Sequence, residues 1–194
     1  MLYIRSICID CSFRGCCPSI GLDTMTIIVA TARNGRVVMG GDRSSVGTET
    51  IQVSLTPKIN RIGNWLIGYT GNGWGTPQLS AFATLPDSPD DLEATLRQTF
   101  VSSMRSLIEE YGGQKQSKAD FLVGGYGRLF ETNSSDWSFI ELEESAIGQG
   151  YHLALGSLCT TSKWKNQSRR VEKALDAAIH YAPGCCYPID IEEA

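Results

Sequence analysis

The chain has 194 residues, 42% of them hydrophobic and 20% charged, with 20 glycines and a formal net charge of −4. That length suits one domain with a substantial core. The acidic balance argues against a nucleic-acid or membrane-surface footprint, and no apolar stretch approaches the roughly 20 residues a membrane span needs.

Residues 1–24, MLYIRSICIDCSFRGCCPSIGLDT, differ in character from the remainder of the chain. Their apolar core, Ile4–Ile9, is broken by Arg5, Ser6 and Cys8 and is too short for a secretory signal. The segment reads as a removable propeptide, a small ordered extension, or residues upstream of the true start. The last is favoured, because Met25 precedes a small residue and loss of an initiator methionine would expose Thr26. Residues 1–25 are therefore set apart from a single domain over 26–194.

Thr26–Ala32 and Arg36–Asp42 are β-rich runs joined by Asn34-Gly35, a strong two-residue hairpin signal. Thr50–Ser54 is a shorter candidate strand. Lys58–Ile62 and Trp65–Thr70 flank Gly63-Asn64, a second hairpin. A helix is expected over Gln78–Leu85, before Pro86-Asp-Ser-Pro89. A longer one is expected over Leu92–Tyr111, capped by Asp90 and Asp91 and stopped by Gly112-Gly113. Its Leu92, Leu96, Phe100, Met104, Leu107 and Ile108 share one face. Strands come next at Asp120–Gly125, Arg128–Thr132 and Trp137–Leu142, then helices at Tyr151–Lys163 and Arg169–Tyr181, and a last strand at Tyr187–Ile191. Each helix pair needs a sheet to cover its apolar stripe, and each sheet has a second face for the other sheet. The fold class is therefore α+β, a four-layer helix–sheet–sheet–helix sandwich.

Seven cysteines are unevenly placed: Cys8, Cys11, Cys16 and Cys17, then Cys159, Cys185 and Cys186. Cys8-x-x-Cys11 lacks a second pair and a nearby histidine, so no metal or other cofactor is expected. The odd total and adjacent pairs suit reduced thiols in the cytoplasm better than a disulfide framework. His152 and His180 both fall in expected helices, which argues against a histidine triad. Trp74, Trp137 and Trp164 are read as packing or subunit-contact residues.

The spacing of three polar residues carries the chemistry. Thr26 to Asp42 is 42 − 26 = 16 residues, and Asp42 to Lys58 is 58 − 42 = 16 again. A hydroxyl, an acid and an amine at the ends of adjacent strands can meet at one sheet edge. A threonine carrying its own free α-amine is a recognised nucleophile. Taken singly, each residue has an ordinary role open to it: Thr26 in a strand, Asp42 and Lys58 as an ion pair, and Gly68 as a packing glycine.

Several segments resemble the proteasome β-subunit and HslV family of N-terminal-nucleophile hydrolases. Thr26-Ile-Ile-Val looks like the mature start of those chains. Asn34-Gly-Arg-Val-Val-Met-Gly-Gly-Asp42 looks like their second strand and catalytic acid. Thr56-Pro-Lys58-Ile looks like their lysine strand, and Ile67-Gly-Tyr-Thr-Gly71 like their oxyanion strand. Ala146-Ile-Gly-Gln-Gly150 is similar to their second glycine motif. Phe121–Glu131 is especially like the small proteasome-type proteins of bacteria and phages.

The resemblance implies a threonine endopeptidase. Thr26 would be the nucleophile, Asp42 and Lys58 its charged partners, and the Gly68 N–H an oxyanion donor. Ser45, Leu66 and Thr70 would fall in the substrate cleft, with Leu66 in an apolar pocket. Gln149 would act either from its turn or as the cap of the next helix, the cap being preferred. The partners implied are a peptide or unfolded-protein substrate, further copies in a ring, and an ATP-dependent unfoldase. A non-catalytic ring subunit and a small-molecule amidase are the alternatives. Three departures stand out: Gln149 replaces the family's serine, its Asp-Ser-x-Ser element is missing around Ala182–Cys186, and Thr26 is internal to the sequence.

Overall fold

The computed structural model describes residues 26–46, 50–71, 85, 92–111 and 119–194. The expected Gln78–Leu85 helix, its neighbouring Trp74, the Asp90-Asp91 cap, the Gly112-Gly113 stop and the N-terminal segment lie outside these residues, Leu85 excepted.

The elements, in chain order, are β1 (Ile27–Arg33), β2 (Arg36–Asp42), β3 (Ser44–Val46), β4 (Ile51–Val53), β5 (Ile59–Ile62), β6 (Trp65–Gly71), α1 (Leu92–Tyr111), β7 (Ala119–Gly125), β8 (Arg128–Asn133), β9 (Ile140–Leu142), β10 (Glu144–Gly148), α2 (Tyr151–Thr160), α3 (Gln167–Tyr181) and β11 (Ile189–Glu193). They form a four-stranded sheet ordered β10-β1-β2-β11, a five-stranded sheet ordered β5-β6-β7-β8-β9, and a β3-β4 ribbon. Neighbouring strands are antiparallel throughout.

The long apolar run at the start of the domain is explained by burial on both faces. Ile27 and Val29 pack under α2 and α3 with Leu158, Val171, Leu175 and Ala178. Ile28 and Ala30 point the other way, against Met39, Leu66, Leu122 and Leu129 between the sheets. The outer face of the five-stranded sheet (Trp65, Ile67, Phe121, Val123 and Phe130) meets Leu96, Phe100 and Met104 of α1. The layers are thus α2/α3, sheet, sheet, α1, as expected from the alternation of apolar faces. Polar groups register α3 on β1: Gln167 accepts from Thr31 Oγ1 at 2.9 Å and donates to the Arg33 carbonyl at 2.8 Å.

Local differences from expectation have local causes. Trp137 does not open a strand; it adopts φ +57° and stacks on Phe121 at 6.1 Å, so strand β9 begins only at Ile140. Strand β10, which carried no expectation, pairs with β1 along its whole length. Helix α2 stops at Thr160, three residues short of Lys163, and α3 starts two residues early because Asn166 caps it through Arg169 N–H.

Phe100 is fully buried and meets Phe121 and Phe139 edge-on at 5.8 and 6.1 Å. Phe100→Ala is expected to lower the unfolding free energy by about 3–5 kcal/mol, read from the midpoint shift in chemical denaturation at unchanged slope.

Candidate active site

The first hairpin determines where Asp42 lies. Asn34 and Gly35 take φ values of 54° and 72°, the left-handed pair a two-residue turn requires, and Arg33 pairs with Arg36. Counting back along that register brings the end of β2 beside the start of β1, and the Ile27 N–H donates to Asp42 Oδ1 at 3.0 Å. The 16-residue interval between Thr26 and Asp42 is therefore a property of the hairpin.

Lys58 comes from the other sheet, one residue before β5, and its Nζ donates to Asp42 Oδ1 at 2.9 Å. The carboxylate is wholly buried and the lysine side chain only 11% exposed. Asp42 Oδ2 accepts from the Ser44 N–H at 3.1 Å, from the Ser44 hydroxyl, and from the Cys186 N–H at 3.4 Å. Both oxygens are saturated with donors, as a buried charge needs.

Thr26 is held from the opposite side by the second glycine turn. Its carbonyl accepts from the Gln149 N–H at 2.7 Å. Gly148, at φ +93°, leaves room for this: a Cβ there would sit 1.9 Å from the Thr26 oxygen and 2.8 Å from Thr70 Cγ2. The Gln149 carbonyl in turn accepts from the Cys185 thiol at 3.6 Å. Burial, followed by the charge of Asp42, pushes the Cys185 thiol up to about 12, and the same causes raise Cys186. Both thiols are thus protonated near neutrality and are poor nucleophiles.

Three expectations need correction. Leu66 lines no pocket, being fully buried between the sheets with Ile28, Met39 and Leu122. Gln149 does not cap the following helix; Gly150 is the cap, without a side-chain bond, and Gln149 acts through its backbone. Ser45 stands exposed on the ribbon opposite Gln52, and its neighbour Ser44 reaches the carboxylate.

Gly68 is the third. Its missing side chain admits Ile28 and Met39, since a Cβ would lie 2.5 Å from Ile28 Cγ2. Its N–H is also committed to the sheet. Ala119 directs its N–H and carbonyl to Ser134, on the β8 side. In an antiparallel ladder these directions alternate, so Gly68 bonds toward its partner Leu122, and Gly71, opposite Ala119, turns its N–H away from β7. Strand β5 does not begin until Ile59, which pairs with Gly68, so it does not reach Gly71. Among the described residues, Gly71 thus directs its N–H off β6 past the end of β5.

Thr70 does lie beside the Thr26–Gly148 contact, buried, and its Oγ1 has no hydrogen-bond partner among the described residues. Ser44, the Cys185 thiol and the Cys186 N–H were not anticipated. Ser44 had a signal, because residue i+2 of an extended chain returns to the side of residue i. The cysteines had none, as their approach is made by a loop 144 residues away from Asp42.

No protein-family model matches the sequence, and no curated protein matches it. Solved structures do match in fold. BPH of Thiobacillus denitrificans, solved in complex with epoxomicin, superposes with a TM-score of 0.72 at 15% identity, covering 87% of this chain and 97% of that one. HslV of Trypanosoma brucei gives 0.64 at 18%, covering 86% and 98%. Anbu, the ancestral β-subunit from Yersinia bercovieri, gives 0.66 at 13%, covering 86% and 80%. The chain therefore has the fold of the proteasome-type hydrolases.

Because Leu66 is core, Leu66→Ala is expected to cost about 2–5 kcal/mol of stability. The loss is read from the midpoint shift in chemical denaturation at unchanged slope.

Proposed function

We propose that this chain is a threonine-type endopeptidase in which Thr26, freed of the residues before it, is the nucleophile. The observation that carries this reading is the shared carboxylate: Asp42 binds the amide that follows Thr26 and, through the same oxygen, the Lys58 ammonium. The fold shared with BPH and HslV supports it.

The chemistry is set by the groups assembled. The Thr26 hydroxyl adds to a peptide carbonyl carbon as its proton passes to the α-amine, whose pKa of roughly 7.7–8.0 suits a base near neutrality. The Lys58 ammonium disfavours a second positive charge on that amine and stabilises the developing alkoxide. Asp42 holds the ammonium in place. The tetrahedral oxyanion takes the Gly71 N–H, and loss of one such donor costs about 3 kcal/mol of barrier. Collapse expels the amine leaving group, which takes the proton. Water then cleaves the Thr26 ester by the same route in reverse and restores the hydroxyl.

Unfolded polypeptide is the substrate class, and assembly into a ring, with an ATP-dependent unfoldase feeding it in the cytoplasm, belongs to the same reading. Among the described residues no helix is long and apolar enough to cross a membrane.

The test compares chains starting at Thr26 and at Met25 on fluorogenic peptides. The Thr26-starting chain is expected to hydrolyse them, while a chain whose intact mass shows Met25 retained, and Thr26→Ala, are inactive. Lys58→Ala is expected to lower kcat by roughly a hundredfold or more. Undiminished hydrolysis by Thr26→Ala would overturn the proposal. An inactive, assembled Thr26-starting chain would favour a structural subunit.

A further inference from the structure

We propose that Ser44 is a positioning residue of this site: its hydroxyl fixes the direction of the Lys58 ammonium and so aims the remaining N–H of that ammonium at the Thr26 hydroxyl. The inference rests on the peptidase reading and adds a residue to it.

Two groups of fixed polarity among the described residues meet the hydroxyl, which has one proton. A carboxylate can only accept and an ammonium can only donate. The Ser44 proton therefore goes to Asp42 Oδ2, and a hydroxyl lone pair takes the Lys58 N–H at 3.2 Å. Lys58 also donates to Asp42 Oδ1 at 2.9 Å, so acid, hydroxyl and amine close a ring that uses both carboxylate oxygens.

Closure matters because of what the lysine is. An ammonium on a flexible four-carbon stem, held by one contact, swivels about that contact. A second contact removes the swivel, and at a tetrahedral nitrogen two fixed N–H directions determine the third. Ser44 supplies that second contact from a site that cannot drift. It is 2% exposed, and its own N–H is bonded to Asp42 Oδ2 at 3.1 Å. The preceding residue is anchored as well: Arg43 grips Asp190 of β11 with two bonds of 2.7 and 2.6 Å. Removing the hydroxyl leaves the backbone contact and the arginine fork in place, which makes Ser44→Ala a clean deletion of one oxygen.

The Thr26-starting chain, with Ser44→Ala and Ser44→Thr, is the system to measure, each variant checked by thermal unfolding. Ser44→Ala is expected to lower kcat about tenfold with KM within about twofold, the pattern of an interaction made in the transition state. Ser44→Thr keeps the oxygen and is expected to hold kcat within about threefold of the parent. Parent-level kcat in Ser44→Ala, or a loss confined to KM, overturns the assignment. So does a folded Ser44→Thr chain with kcat down tenfold, and that variant decides alone should Ser44→Ala fail to fold. If the parent chain itself hydrolyses nothing, the proposed function falls and Ser44 with it; an active parent with an indifferent Ser44→Ala sinks the positioning role only.

Discussion

The constraint on which the site depends is the burial of one charge. Asp42 has no solvent exposure, and a carboxylate in that position is tolerable only if the protein replaces its water with donors. Four separate segments supply them: the start of β1 at Ile27, β3 at Ser44, the approach to β5 at Lys58, and the loop before β11 at Cys186. Withdrawing a partner from such a pair typically costs 3–5 kcal/mol, about the size of a domain's whole margin of stability at its lower end. The same carboxylate thus ties the two sheets, the ribbon and the C-terminal loop together at the edge where Thr26 lies.

The rest of the sandwich makes that edge rigid. Helices α2 and α3 clamp one face of β1, and the five-stranded sheet clamps the other. The Thr26–Ile27 peptide is then held on both sides: its N–H donates to Asp42, and its carbonyl accepts from the Gln149 N–H. What this arrangement leaves for chemistry is the side chain and, once the preceding residues are gone, the amine. The Cys185 and Cys186 thiols, their pKa values raised by burial, stand beside the site, Cys185 donating to the Gln149 carbonyl, in the place where the expected Asp-Ser-x-Ser element is missing.

Much of this was legible in the sequence because it is local. The Asn34-Gly35 turn fixes a register, and the register brings Asp42 to Ile27; the apolar stripe of α1 needs only helical periodicity to be read. The site failed to show where a decision depended on which way a strand faces. Leu66 looked like a pocket wall because a strand buried on both faces gives no alternation to say which side is core. Gly68 and Gly71 lie three residues apart, so their amides point to opposite edges, and only the Ala119–Ser134 pairing decides between them. Cys186 was out of reach for a different reason: its approach to Asp42 is fixed by the packing of α3 and β11, and no short-range pattern encodes it.

The most direct measurement is to incubate the Thr26-starting chain with an activated peptide ester, which acylates a nucleophilic side chain, and to map the adduct by mass spectrometry of its peptides. A single adduct carried by Thr26, absent when Asp42 is replaced by asparagine, is the expected result, because Asp42 holds both the threonine segment and the lysine. A chain that stays unmodified, or one modified at Cys186 with Thr26 free, would contradict the account.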